Sequence, residues 1–349
     1  MTEKTMNPNP DSDANESDVL VRVENLKKHF PVQSGLIANI LNRGHIPAVK
    51  AVDGVSFTIR RGEVFGLAGE SGSGKSTVGR LTLGLLPATD GKVIFDGVDL
   101  GSLKPEEMRK MRSRMQVIFQ DPLASLNPRM TIGETIEHPV KIHITQNAQE
   151  RRRIVWDILE KVGLSPAEQY YDKYPHQISG GQRQRVVIAR ALVTAPELVV
   201  ADEPIAMADV SVRALLLDLM MRLKEEFNLT YLFITHDLAT AKYICDRIAI
   251  MYLGKLCEVG PLQDVYKHSA HPYTRALLEA VPVPDPKHRR TEPMPAGEIP
   301  NAINPPSGCR FHPRCPLAQE RCAQEEPPLR EIAPGHQVAC HFAETLFDS

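Results

Sequence analysis

The eight residues Gly69-Glu70-Ser71-Gly72-Ser73-Gly74-Lys75-Ser76 restrict this chain more than any other segment, because they join an apolar run, Val64 to Ala68, to a helical pattern, Lys75 to Leu86. In a GxxxxGK[ST] loop the glycines let successive backbone N–H groups turn onto phosphate oxygens at a helix N-terminus. The order strand, loop, helix is the one a phosphate cradle requires. Lys75 is placed to neutralise β and γ phosphates, and the Ser76 hydroxyl to ligate Mg²⁺. The alternative, a glycine-rich turn with a surface lysine, leaves the flanking strand and helix without a reason.

Further apolar runs at Val19–Glu24, Val55–Ile59, Met115–Phe119, Leu198–Ala201, Thr230–Thr235 and Arg247–Met251 predict strands, and Gln182–Thr194 and Val212–Glu226 predict helices. Strands alternating with helices predict an α/β fold with a largely parallel sheet covered on both faces. Between Pro122 and Ser179 the strand signal fades. There, Ile154, Val155, Ile158, Leu159 and Val162 fall at helical spacing, which predicts a helical subdomain at about 122–180.

With 41 basic against 43 acidic residues, nothing marks a nucleic-acid binder or a polybasic membrane anchor. No apolar stretch approaches the ~20 residues of a membrane-spanning helix, and the N-terminus is polar and acidic, unlike an export signal, so a cytosolic chain is expected. Residues 1–18 are too poor in apolar side chains to order themselves. The stretch 281–308 holds eight prolines and reads as an extended linker. Leu36, Ile37, Ile40 and Leu41 lie at helical spacing in the insertion 33–47, which fits either a lipid or permease contact or a plain surface excursion.

Downstream of the loop, Asp202-Glu203 ends an apolar strand, Gln120 and His236 follow two others, and Ser179-Gly180-Gly181-Gln182 opens a helix. Ser179 and the N–H groups of that helix start form a second anion site. One chain cannot bring two such sites to the same γ-phosphate.

This ordered set resembles the ATP-binding cassette family, over nearly the whole chain after residue 18. The resemblance implies a P-loop ATPase with a RecA-like core plus antiparallel β and helical subdomains, over residues 19–260, and a C-terminal region, 261–349, ending in a small cysteine-rich module. It implies that Phe30 stacks on adenine and that Gly69, Ser71, Gly72, Ser73, Gly74, Lys75, Ser76 and Thr77 hold ATP. Asp202 and Gln120 join Ser76 at Mg²⁺, Glu203 polarises the attacking water, and His236 contacts the γ-phosphate. Ser179, Gly180, Gly181 and Gln182 serve the ATP of a second cassette in trans. The D-loop departs from the family: Ala206-Met207-Ala208-Asp209 stands where Ser-Ala-Leu-Asp is usual, keeping only Asp209.

Phe119 to Pro128 and His271 to Leu278 resemble the ATPase subunits of dipeptide and oligopeptide importers. Cargo of oligosaccharide or nickel would leave the same ATPase sequence. A soluble cassette protein of ribosomes or DNA is the reading from another class, but neither two cassettes nor long heptad segments are present. The implied partners are a second ATPase subunit, identical or related, two permease subunits and an extracytoplasmic binding protein, at the cytoplasmic face of the membrane.

Cys309, Cys315, Cys322 and Cys340 supply four thiolates for zinc or an iron–sulfur cluster, and their spacing does not choose. The resemblance implies a [4Fe–4S] cluster. Cys245 and Cys257 read as buried packing residues.

Overall fold

The computed structural model describes residues 16–32, 47–281, 298 and 300–347. The expected disordered tail up to residue 15, residues 33–46 of the insertion, and 282–297 and 299 of the proline-rich linker lie outside the described residues. The strands are β1 Val19–Pro31, β2 Ala48–Arg60, β3 Val64–Ala68, β4 Asp90–Phe95, β5 Val98–Asp99, β6 Met115–Ile118, β7 Leu198–Asp202, β8 Thr230–Thr235, β9 Arg247–Tyr252, β10 Lys255–Pro261, β11 Arg330–Ala333 and β12 His336–Val338. Contacts divide the chain into two compact units. One takes the residues up to Arg60, Gly66–Gly101 and those from His236 onward; the other takes Arg61–Phe65 and Ser102–Thr235.

In the first unit β2, β1, β4 and β5 form an antiparallel sheet in that order. Val21 pairs with both Ile59 and Phe95, and all three are fully buried, so the sheet closes on an apolar face. β1 and β2 run well beyond the expected strands, because Lys27, Lys28 and His29 continue the ladder with polar side chains. The helix after the glycine loop, Lys75–Thr82, stops four residues before the expected Leu86. Gly84, with φ of +60°, turns the chain away there.

The small cysteine-rich module expected at the C-terminus is joined to this unit's other strands. β9, β10, β12 and β11 form an antiparallel series, with Glu258 opposite Val338 and Val259 opposite Gln337. The tail therefore extends a sheet instead of standing alone, and Ala270, Val338, Ala343 and Leu346 share one small core. Glu258 is wholly buried beneath it. Its carboxylate accepts hydrogen bonds from the backbone N–H of Ala270 (2.8 Å) and His271 (3.2 Å) and lies 2.8 Å from His336 Nε2, the partners a buried carboxylate needs.

In the second unit β6, β7 and β8 are parallel, with Ile118 opposite Ala201 and Asp202 opposite Ile234. Every residue of β7 and β8 is buried, which accounts for apolar runs without alternation. The helices Ile132–His143 and Ala148–Lys161 follow, started by Thr131, whose hydroxyl caps Glu134 N–H, and by Asn147. Such caps stabilise a helix by about 1 kcal/mol. Val155, Ile158, Leu159 and Val162 are buried, as their spacing predicts. Among the described residues no helix is long and apolar enough to cross a membrane.

Candidate functional site

Two glycines of the phosphate loop occupy positions where any side chain would displace backbone. Gly69 has φ of +149°, and a Cβ there would stand 2.1 Å from the Met251 carbonyl oxygen; Gly74 has φ of +108°, and its Cβ would stand 2.1 Å from the Ala51 carbonyl oxygen. Gly74 is the cap from which the helix Lys75–Thr82 starts. Lys75 is buried, and its ammonium donates to the carbonyls of Gly69 (2.7 Å) and Glu70 (2.8 Å) and to Ser73 Oγ (3.4 Å). The loop is thus wrapped around its own lysine. Ser71 and Gly72 are exposed, whereas Ser76 and Thr77 are half-buried on the first helical turn.

In the second unit Asp202 is buried at the end of β7 and Glu203 follows it with φ of +48°, a left-handed conformation unusual for glutamate. The Glu203 N–H donates to the Ile234 carbonyl (2.9 Å), which ties the strained residue to β8. Gln120, exposed just beyond β6, donates through Nε2 to the Glu203 carboxylate at 2.8 Å. The structure thus joins two residues that the sequence separates by 83 positions.

Ser179 caps the helix Gly180–Leu192 reciprocally: its Oγ accepts from Gln182 N–H (3.3 Å), and Gln182 Oε1 accepts from Ser179 N–H (2.9 Å). Ser179 and Gly180 are exposed, and a Cβ on Gly181 would come within 3.1 Å of Val212 Cγ1. The loop Ala206–Asp209 is braced by Arg213, whose guanidinium donates to the carbonyls of Ala208 (2.9 Å) and Ala206 (3.4 Å). Arg213 escaped the sequence reading, since nothing in its spacing marks it.

In the first unit, His236 is exposed immediately after β8, and the next residue, Asp237, caps the helix Leu238–Ile244. Phe30 is 36% exposed near the end of β1, with the Lys28 ammonium 5.2 Å from its ring centre. Its neighbour His29 lies 2.9 Å from the Asp53 carboxylate. Burial pushes the Asp53 carboxyl upward, but the bonds from His29 and Arg310 outweigh it and leave the group below its ordinary value.

Cys309, Cys315, Cys322 and Cys340 all line one cavity of about 20 Å³, together with Phe311, His312 and His341. Burial pushes the thiols of Cys309 and Cys340 up to about 11 and that of Cys315 upward as well. Among the described residues, however, no three His, Cys, Asp or Glu side chains are grouped so as to hold a metal ion. The structure therefore displays converging thiols but not the expected metal-ligand set. Cys245 and Cys257 are buried.

A further set of contacts, also unmarked in the sequence, surrounds Glu70. Its carboxylate accepts two bonds from the Arg314 guanidinium (2.9 and 3.2 Å), and its N–H donates to Tyr273 Oη (2.9 Å).

A family model described as "ABC transporter" matches residues 52–206, and one described as "Oligopeptide/dipeptide transporter, C-terminal region" matches residues 257–322. The probable peptide ABC transporter ATP-binding protein y4tS of Sinorhizobium fredii is 46% identical over 325 residues, covering 93% of this chain and 90% of its own. The oligopeptide transport ATP-binding protein AppF of Bacillus subtilis is 46% identical over 328 residues, covering 93% and 98%. Among solved structures, the dimeric post-hydrolysis state of the ATP-binding cassette MJ0796 bound to ADP and Pi is similar with a TM-score of 0.60 at 29% identity, covering 69% of this chain and 98% of that one.

Proposed function

The chain belongs to the ABC transporter family of ATP-binding proteins, and from that premise we propose that it is the ATP-hydrolysing, energy-coupling subunit of an importer of dipeptides or oligopeptides. The observation that carries the cargo class is the match of residues 257–322 to the peptide-transporter C-terminal region, joined to relatives named for peptide transport along nearly their full length.

In this reading the loop Gly69–Ser76 cradles the phosphates and Lys75 offsets their charge. The Lys75 ammonium, now donating to loop carbonyls, would turn to the nucleotide when it arrives. Phe30 offers an exposed ring to adenine, worth about 1 kcal/mol. Glu203 is the general base, and its bond from Gln120 holds the carboxylate in one orientation. His236 contacts the γ-phosphate. Ser76, Asp202 and Gln120 are the oxygen donors proposed for Mg²⁺, a donor chemistry that suits a hard cation. When bound, the ion neutralises charge on the transferring phosphoryl group.

Ser179, Gly180, Gly181 and Gln182 are assigned to the ATP of a second cassette; support comes from the exposure of Ser179 and Gly180 and from a related cassette solved as a dimer. Asp209 and the Arg213-braced loop would face that second subunit. Two permease subunits and an extracytoplasmic binding protein complete the proposed assembly, with this chain at the cytoplasmic face of the membrane.

The test is uptake by the reconstituted transporter with its matching binding protein. Peptide is expected to stimulate ATP hydrolysis at least several-fold. Stimulation by nickel or an oligosaccharide in place of peptide would reassign the cargo, and ATP hydrolysis indifferent to any permease would favour a non-transport ATPase.

For the four cysteines we propose a [4Fe–4S] cluster over zinc on the resemblance and on four thiols lining one cavity, although no three of the described His, Cys, Asp or Glu side chains are grouped to hold an ion. Ligation would convert thiols disfavoured as free thiolates by burial into bound ones. Anaerobically purified protein is expected to carry about four iron and four sulfide per chain. Zinc alone, or no metal, would overturn it.

A further inference from the structure

Every polar group of Glu70, the second residue of the phosphate loop, is engaged. Its carbonyl accepts from Lys75 Nζ (2.8 Å) and from the Ser73 N–H (3.2 Å), both within the loop. Its other two partners come from far along the chain: Tyr273 Oη takes its N–H, and Arg314 takes both carboxylate oxygens. The Arg314 side chain is 7% exposed, and its NH1 also lies 3.3 Å from Tyr252 Oη. The guanidinium carbon sits 5.8 and 5.9 Å from the ring centres of Tyr252 and Phe311; those rings lie 5.4 Å apart and 4.7 and 5.3 Å from the ring of Tyr273. A guanidinium packed near two rings and held by two bonds to one carboxylate has little freedom.

The other arginine of this segment reaches the residues that hold the middle of the loop. Arg310 donates to the Leu253 carbonyl and to the Asp53 carboxylate. The adjoining Gly254 donates its N–H to the Ser73 carbonyl (2.9 Å), and its carbonyl accepts from the Asp53 N–H (2.9 Å). The stretch Cys309–Cys315 therefore braces the loop at Glu70 directly and at Ser73 through Gly254.

We propose that this stretch is a positioning clamp on the phosphate loop, with Arg314 and Tyr273 holding Glu70 so that the loop N–H groups are already aimed when the nucleotide arrives. The clamp rests on the reading of Gly69–Ser76 as an ATP site. Arg314 and Tyr273 touch no phosphate in this scheme; they act through Glu70, and the benefit is a site organised before binding. It also gives the C-terminal region a route by which to influence nucleotide affinity.

The experiment is ATP affinity of the full chain, with and without Arg314→Ala, Arg314→Lys, Glu70→Gln and Tyr273→Phe, alongside KM and kcat for ATP hydrolysis and thermal melting. Arg314→Ala is expected to weaken ATP binding about tenfold, within the ordinary range of coupling between sites. The loss should appear in KM, with kcat within about twofold, because the transition-state contacts are untouched. Arg314→Lys should recover part of it. The Arg314→Ala and Glu70→Gln effects should overlap, so that the double variant is little worse than either alone. Tyr273→Phe removes one oxygen and keeps the ring packing, so it decides the matter if Arg314→Ala does not fold. A purely structural role predicts lower melting temperatures with unchanged affinity in the folded variants, and that result sinks the clamp, as does full independence of the Arg314 and Glu70 effects. ATP binding by the wild type that is lost in Lys75→Ala but intact in all the clamp variants would leave the ATP site standing and remove the clamp alone. A wild-type chain that does not bind ATP removes both.

Discussion

Glu203→Gln is expected to slow ATP turnover by about 10²–10⁴-fold, the range for loss of a general base, while ATP affinity changes little. The substitution is unusually clean at this position. Glutamine keeps the length and shape of the side chain, and its own oxygen can still accept the bond that Gln120 Nε2 now gives to the carboxylate at 2.8 Å. The backbone, with φ of +48° and an N–H bound to the Ile234 carbonyl, asks the same of either residue. What disappears is the charge and the capacity to take a proton from water. Phosphoryl transfer relies mostly on positioning and electrostatics, so binding should survive. The check is steady-state hydrolysis in the reconstituted transporter, paired with equilibrium ATP binding. Turnover within threefold of wild type would remove Glu203 from the role of base, and a parallel loss of binding would point to a damaged fold instead.

How far the sequence could be read depended on whether a residue's partners were local. The strand, glycine loop and helix around Lys75 were legible because the motif, its flanks and its spacing all lie within about twenty residues. β7 and β8 were legible because burial on both faces leaves unbroken apolar runs. β4, β5, β10, β11 and β12 were not foreseen: β5, β11 and β12 are short, and what marks the set is the turns Asp96-Gly97, Leu253-Gly254 and Gly335, all with positive φ. β1 and β2 were under-read because their ladder continues through polar residues. The cysteines were visible as a cluster, but the pairing of β12 with β10, which ties the tail into a sheet, was not. Arg314 was the least legible of all, since its partner Glu70 lies 244 residues away and neither residue type is unusual in its place.

Within the phosphate loop itself the glycines are not equivalent, and this leads to the second large effect. Gly69→Ala and Gly74→Ala are each expected to weaken ATP binding by about 100-fold, whereas Gly72→Ala should cost less than about tenfold. All three have positive φ, at +149°, +108° and +79°, so backbone strain of roughly 1–2 kcal/mol applies throughout. The difference is what the new methyl meets. At Gly69 it would stand 2.1 Å from the Met251 carbonyl oxygen, and at Gly74 2.1 Å from the Ala51 carbonyl oxygen and 2.7 Å from Met251 Cε; at Gly72 nothing lies within 4 Å. Backbone atoms cannot swing aside as a side-chain tip can, so the loop must move by roughly an ångström. A displacement of that size in groups that hold a reacting ligand costs on the order of 10²-fold. Titration with a fluorescent ATP analogue, with melting curves to show that each variant is folded, separates the cases. A Gly74→Ala chain that binds like wild type, or a Gly72→Ala chain as damaged as Gly74→Ala, would mean that the loop takes a different path when it binds nucleotide. The contrast among the three glycines therefore tests the loop's shape, where Glu203→Gln tests its chemistry.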